Sequence, residues 1–202
     1  MTHAISTLEQ LREIIPEARP IAHRKVSDRV DSHARQFIAE SPLVFVATTN
    51  RDLNTDVSPK GDAPGFVRVE SDTSLLIPER PGNGLVYGFQ NILQTGSIGL
   101  IFVVPGVRET LRINGHATLT RDPALLTQFI VNGKPALLCC RITVKELFFH
   151  CGKAMIRSKV WQPESWTAKV SRDASAKQLA GKFSMEESAF KDFAEKDYRN
   201  NL

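Results

Sequence analysis

The sequence predicts a mainly β fold: an antiparallel β-barrel of about six strands with added helices packed outside. Three observations lead there. Short apolar or alternating runs of strand length recur between Leu43 and His150. Turn residues such as Ser71-Asp72 and Pro105-Gly106 punctuate them. Long helical patterns do not alternate regularly with these runs, which argues against a doubly wound parallel sheet. There is no internal repeat and no low-complexity segment.

Taken in order, Thr7-Leu8-Glu9-Gln10 has the form of a capping box. Leu8, Leu11, Ile14 and Ile15 then make one helical face, ended by Pro16 and Pro20. A second helix is expected from Asp28 to Ala39, with Val30, Ala34, Phe37 and Ile38 as its stripe. Leu43–Thr49 reads as a buried strand. The segment TDVSPKGDAPG is extended and breaks into a loop at Gly61–Gly65. Phe66–Glu70 and Ser74–Glu79 form two short strands joined at Ser71-Asp72. Leu85, Phe89, Ile92 and Leu93 fall at helical spacing, with Gly96 as the stop.

Ser97–Val104 is a buried strand. The next strand alternates: Leu111, Ile113, Ala117 and Leu119 face one way, and Arg112, Asn114, His116 and Thr118 the other. Asp122-Pro123 opens a helix running to Gly133. Pro135–His150 is the last long strand. Trp166–Gly181 is polar and weakly patterned, and is expected to be a loop or mobile arm. Ser184-Met185-Glu186-Glu187 caps a terminal helix carrying Phe190 and Phe193. The chain thus divides into a helical extension (1–40), the barrel (41–166) and a C-terminal loop and helix (167–202).

Composition narrows the class. Of 202 residues, 42% are hydrophobic, enough for a real core in one domain. The net charge of +4 is too mild to point to nucleic acid. Between Cys151 and Lys182 the charge is locally basic, which suits either a phosphate or carboxylate ligand or a solvated face. Three cysteines, two of them adjacent, make a poor disulfide framework and suggest a reducing compartment. No apolar run reaches membrane-spanning length, and the N-terminus does not resemble a signal peptide, so a cytoplasmic protein without membrane partners is expected.

Several chemistries can be weighed. Cys139 and Cys140 are neighbours on a strand and point to opposite faces, so they cannot share one metal ion, and no second ligand pair accompanies His150 and Cys151. Cys151 lies beside His150 and near Lys153, but no nucleophile-elbow sequence surrounds it. Arg80, the glycine-bounded loop after it and the start of the next helix form a candidate anion site, with Lys60 on a strand end. Asn83 serves either that site or as a simple helix cap. Arg112 is a solvent-facing arginine or a ligand contact. Trp161 and Trp166 are packing aromatics, or stack on an aromatic anion near Lys153 and Arg157.

The stretches DVSPKGDAPGFVRV, LLIPERPGN, NIL, SIGLIFVVPGVRETLRINGHATLTRD and VKELFFHCGKAMIRSKVW occur in this order. Together they resemble the pyridoxamine 5'-phosphate oxidase-related family of FMN-binding proteins, over roughly Ser41 to Trp166. The resemblance implies a six-stranded split barrel, a homodimer, and FMN in a cleft between the subunits. It implies that Ser58, Pro59, Lys60 and Gly61 lie along the flavin, and that Arg80, Asn83 and Asn91 shape the phosphate loop. Arg112 is then expected to reach the cofactor from its strand, and His150, Lys153, Arg157 and Trp161 to close the cleft. Relatives often carry arginines directly after PGN, where this chain has Gly84, Leu85 and Val86. The implied activity is an FMN-dependent oxidoreductase acting on a small molecule. Its alternative is a flavin- or haem-binding module without turnover.

Overall fold

The computed structural model describes residues 3–166 and 174–201. Three helices lead into the sheet: α1 (Leu8–Ile14), α2 (Pro20–Arg24) and α3 (Ser32–Glu40). Thr7 caps α1 by accepting from the Gln10 N–H at 3.2 Å, and Gln10 Oε1 accepts from the Ser6 N–H at 2.9 Å. The apolar face of α1 is exposed. Pro20 does not merely end α1. It starts α2, because a missing N–H costs nothing in a helix's first turn. The second predicted helix begins at Ser32 rather than Asp28, since Asp31 caps it by accepting from the Ala34 N–H at 2.8 Å. Val30 precedes the helix and is buried beside Ala34 and Ile38 in the main core.

The strands are β1 (Leu43–Thr49), β2 (Thr55–Gly61), β3 (Arg68–Ser71), β4 (Ser74–Glu79), β5 (Ser97–Val103), β6 (Thr110–Thr120) and β7 (Leu138–His150). They form one antiparallel sheet in the order β2-β1-β5-β6-β7-β4-β3. The predicted count of six is corrected to seven. The extended segment TDVSPKG pairs with β1 along its whole length, from Leu43 opposite Gly61 to Thr49 opposite Thr55. A turn closed by Asn50 Oδ1, which accepts from the Asn54 N–H at 2.8 Å, folds it back. Pro59 is tolerated because β2 is an edge strand. Among the described residues no backbone ladder joins the edges β2 and β3, so the sheet is open and not a closed barrel.

The remaining helices are α4 (Tyr87–Thr95), α5 (Pro123–Leu126), α6 (Lys153–Ser158), α7 (Ala174–Phe183) and α8 (Glu187–Asn201). Leu85 lies outside α4, and α5 is a single turn that does not reach Gly133. The strand predicted from Pro135 begins at Leu138. Gly96 ends α4 at φ 68, where its missing side chain leaves room for the His116 ring. The Trp166–Gly181 loop is corrected in part. Residues 167–173 lie outside the described residues, while Ala174 onward is helical. The buried residues of α7 are Ala176 and Ala180, whose small side chains leave little hydropathy signal.

The core lies on the inner face of the sheet. Val44, Leu75, Leu100, Phe102, Leu111, Ile113 and Ile142 are fully enclosed there, with α3 packed across them. Phe37 of α3 meets Phe149 of β7 edge to face at 5.4 Å.

Candidate functional site

Two strands that share no backbone hydrogen bonds, β2 and β4, face each other across the opening of the sheet, and a cavity of about 780 Å³ lies between them. Alternation along β2 turns Asp56, Ser58 and Lys60 inward, opposite Thr48, Val46 and Val44 of β1. Val46, Phe66, Ile77 and Ile98 provide apolar walls. The loop from Arg80 to Val86 and the first turn of α4 complete the lining. Val86 precedes α4 in a left-handed conformation at φ 48, and no side chain caps the helix. The first-turn N–H groups of α4 therefore face the loop without a side-chain acceptor.

Of the residues singled out from the sequence, Ser58, Pro59, Lys60, Gly61, Arg80 and Asn83 line this cavity. Asn83 does not cap α4. Its Oδ1 accepts from the Leu85 N–H at 3.0 Å and shapes the loop instead. Asn91 is one layer behind, buried, with Nδ2 donating to Thr48 Oγ1 at 3.1 Å. The bond ties α4 to β1 under the cavity.

The other candidates lie apart within one chain. Arg112 sits on β6 between Ile101 and Phe148, on the face opposite the core residues Leu111 and Ile113. Its guanidinium stacks 5.4 Å from the Phe148 ring, and Lys25 Nζ lies 4.5 Å from the same ring. His150 ends β7, tilted against Phe148 at 6.2 Å. Lys153 and Arg157 follow on α6. Trp161 Nε1 donates to the Val107 carbonyl at 2.8 Å. Gly152 brings this corner close, since a Cβ there would meet Arg108 Cβ at 2.7 Å.

Sequence reasoning missed three carboxylates that line the cavity: Asp56, Asp62 and Glu79. The signal for the first is the period-2 spacing of Asp56, Ser58 and Lys60, which has meaning only if TDVSPKG is a strand. Lys60 Nζ lies 2.5 Å from Glu79 Oε2 and 5.0 Å from the Phe89 ring. Arg80 Nε lies 3.1 Å from Asp62 Oδ2, and its Nη1 donates to the Phe129 carbonyl at 2.7 Å. These two ion pairs span the opening where no backbone ladder runs.

Thiol chemistry is absent from the cavity wall. Burial pushes the Cys140 thiol up to about 12, against the opposing pull of Lys60, so it stays protonated. Cys139 and Cys140 are buried in different clusters on the two faces of β7, as their adjacency predicts. Cys151 is exposed and does not line the cavity. Among the described residues, no group of three or more His, Cys, Asp or Glu side chains is placed to hold a metal ion. No described helix is long and apolar enough to cross a membrane.

The lining fits a flavin. Apolar walls suit a flat ring system, Ser58 offers a donor to ring carbonyls, and Lys60, the Arg80 loop and the uncapped start of α4 offer donors to an anionic tail.

A family model described as pyridoxamine 5'-phosphate oxidase matches residues 30–151, from just before α3 to the end of β7. Among solved structures, the chain is similar to HupZ of Group A Streptococcus: 19% identity and a TM-score of 0.50 over 60% of this chain and 99% of that one. It is similar to an FMN-binding protein from Syntrophomonas wolfei: 10% identity and a TM-score of 0.46 over 57% of this chain and 82% of that one. A third is a Clostridium acetobutylicum protein related to general stress protein 26, of the pyridoxinephosphate oxidase family. It shows 12% identity and a TM-score of 0.45 over 59% and 86% of the two chains. No curated protein matches the sequence.

Proposed function

The chain belongs to the pyridoxamine 5'-phosphate oxidase family, and from that premise we propose that it is an FMN-dependent oxidoreductase acting on a small molecule. The observation that carries this reading is the cavity between β2, β4 and α4. It combines apolar walls, the donors of Ser58 and Lys60, and the Arg80 loop in one space large enough for a cofactor.

A bound flavin supplies the hydride chemistry, and the protein binds and tunes it. Ser58 would hold the polar edge of the ring, and Lys60, paired with Glu79, would stand with Arg80 on the side of the tail. Val46, Ile77 and Ile98 exclude water from the buried side. Arg80, Asn83 and the start of α4 receive the tail.

We further propose a homodimer. One row across the outer face of the sheet runs Pro59, Phe45, Ile101, Arg112 and Phe148. Phe45 and Ile101 in it are 40% and 43% exposed, and Val57 beside it is 61% exposed. A sheet face this apolar suits burial against a second copy. His150, Lys153, Arg157 and Trp161 flank that face, and in a dimer they close over the second copy's cavity.

The test is the visible spectrum of the purified protein, with the released cofactor separated by chromatography and the mass measured in solution. The expected result is a yellow protein of twice 22.5 kDa that releases FMN and oxidises reduced nicotinamide with an electron acceptor. A colourless protein that takes up no added flavin refutes the cofactor assignment, and a monomer refutes the dimer.

A further inference from the structure

We propose that Glu79 and Asp62 determine which flavin the cavity prefers, by holding the two cations that a ligand's phosphate would otherwise use. The proposal rests on the flavin reading above and deepens it. Lys60 is bound to Glu79 at 2.5 Å, and Arg80 to Asp62 at 3.1 Å. The side chains of both pairs are only 18–25% exposed, so solvent screens them weakly. One further Arg80 donor is spent on the Phe129 carbonyl.

Among the described residues no other cation lines the cavity, and the stretch from Pro81 to Tyr87 carries none. A third carboxylate, Asp56, reaches the start of α4: its Oδ2 lies 3.2 Å from where a Cβ on Gly88 would stand. Three carboxylates therefore face two cations among the described lining residues.

A phosphate dianion must either displace a carboxylate from its cation or bind beside it. Displacement exchanges one charge-assisted pair for another, and coexistence brings like charges together. Either way the two cations add little to the phosphate's affinity, which leaves the N–H groups at the start of α4 as its donors. A flavin with a neutral ribityl tail contests neither pair. Glu79 and Asp62 thus act as built-in competitors for the anion subsite.

A purely structural role, tying β2 to β4 across the open sheet, makes a different prediction. Removing a carboxylate would then lower stability and weaken both flavins alike.

The experiment measures FMN and riboflavin affinity by quenching of flavin fluorescence, on the full chain at pH 8 and fixed ionic strength. It compares the wild type with Glu79→Gln and Asp62→Asn. The wild type is expected to bind the two flavins within about tenfold of each other, and each substitution to shift the ratio toward FMN by about tenfold, the scale of one charge-assisted pair. A wild-type preference for FMN beyond tenfold overturns the proposal, with no variant needed. So does an unchanged ratio in the folded variants. If no flavin binds to any of the three proteins, the flavin reading fails by itself. Calorimetry with inorganic pyrophosphate then decides: tighter binding by the variants sustains the carboxylate role, and equal or absent binding in all three overturns it.

Discussion

Replacing Asn91 by leucine removes the side-chain hydrogen bond to Thr48 that ties α4 to β1 beneath the cavity. The two partners are almost completely buried, Asn91 at 7% exposure and Thr48 at 1%. Leucine keeps the branching and the number of side-chain heavy atoms of asparagine but is bulkier, and that overpacking cost is common to the single and the double variant and cancels in the cycle. The loss is that the Thr48 hydroxyl is left in the interior without its partner. Leaving a buried polar group unpaired costs about 1–3 kcal/mol. Thr48→Val strands the Asn91 amide in the same way and should cost a similar amount. The double substitution removes both polar groups and leaves neither unpaired. Its cost should fall well below the sum of the singles, giving a coupling of about 1–2 kcal/mol. Urea unfolding followed by fluorescence measures all four corners of the cycle. With a slope of about 1–3 kcal/mol per molar urea, the single substitutions should move the midpoint by about 1 M. Flavin affinity should fall with Asn91→Leu, because Tyr87, Gly88 and Phe89 at the start of α4 form part of the cavity wall. A double variant that costs the full sum would refute the argument, since the bond would then not join these two groups.

Two further outcomes can be checked together. A thiol reagent at pH 8 should modify only Cys151 in the folded chain and all three cysteines after unfolding. Burial keeps Cys140 near 12 and raises Cys139 as well, while Cys151 is exposed. Prompt reaction of two or more thiols in the folded protein would count against the packing of β7. The Arg141 guanidinium donates to both carboxylate oxygens of Glu70, at 2.8 and 3.0 Å, and holds its carboxyl below the ordinary value of 4.5. A lowered carboxyl stabilises the fold above its unfolded value, and the contribution disappears as pH falls through the folded value. Arg141→Ala should therefore lower Tm at pH 7 but not at pH 2–3. The effect should stay below about 1 kcal/mol, because the pair is partly exposed. An equal loss of Tm at both pH values would show that the arginine acts through packing.

Strands that carry their own hydrophobic pattern are legible in the sequence alone. Leu43–Thr49 and the alternation around Leu111 and Ile113 are examples, because period and burial are written locally. The segment TDVSPKG is legible only as extended. Its pairing depends on β1, a partner that no local pattern names. α7 escapes for a related reason: its buried residues are alanines, and burial of a small side chain leaves little trace in hydropathy.

The site divides in the same way. Residue types and motif order by themselves determined a family and a set of polar side chains, among them Ser58, Lys60 and Arg80. Tertiary packing is what brings Lys60 to Glu79 and Arg80 to Asp62, and what puts Arg112 and His150 on another face of the same chain. Chemistry is a property of single residues, and a sequence states it directly. Charge balance in a cavity depends on which side chains come within a few ångströms of each other. That is set by the curl of a sheet that brings β2 opposite β4, two strands that share no backbone ladder.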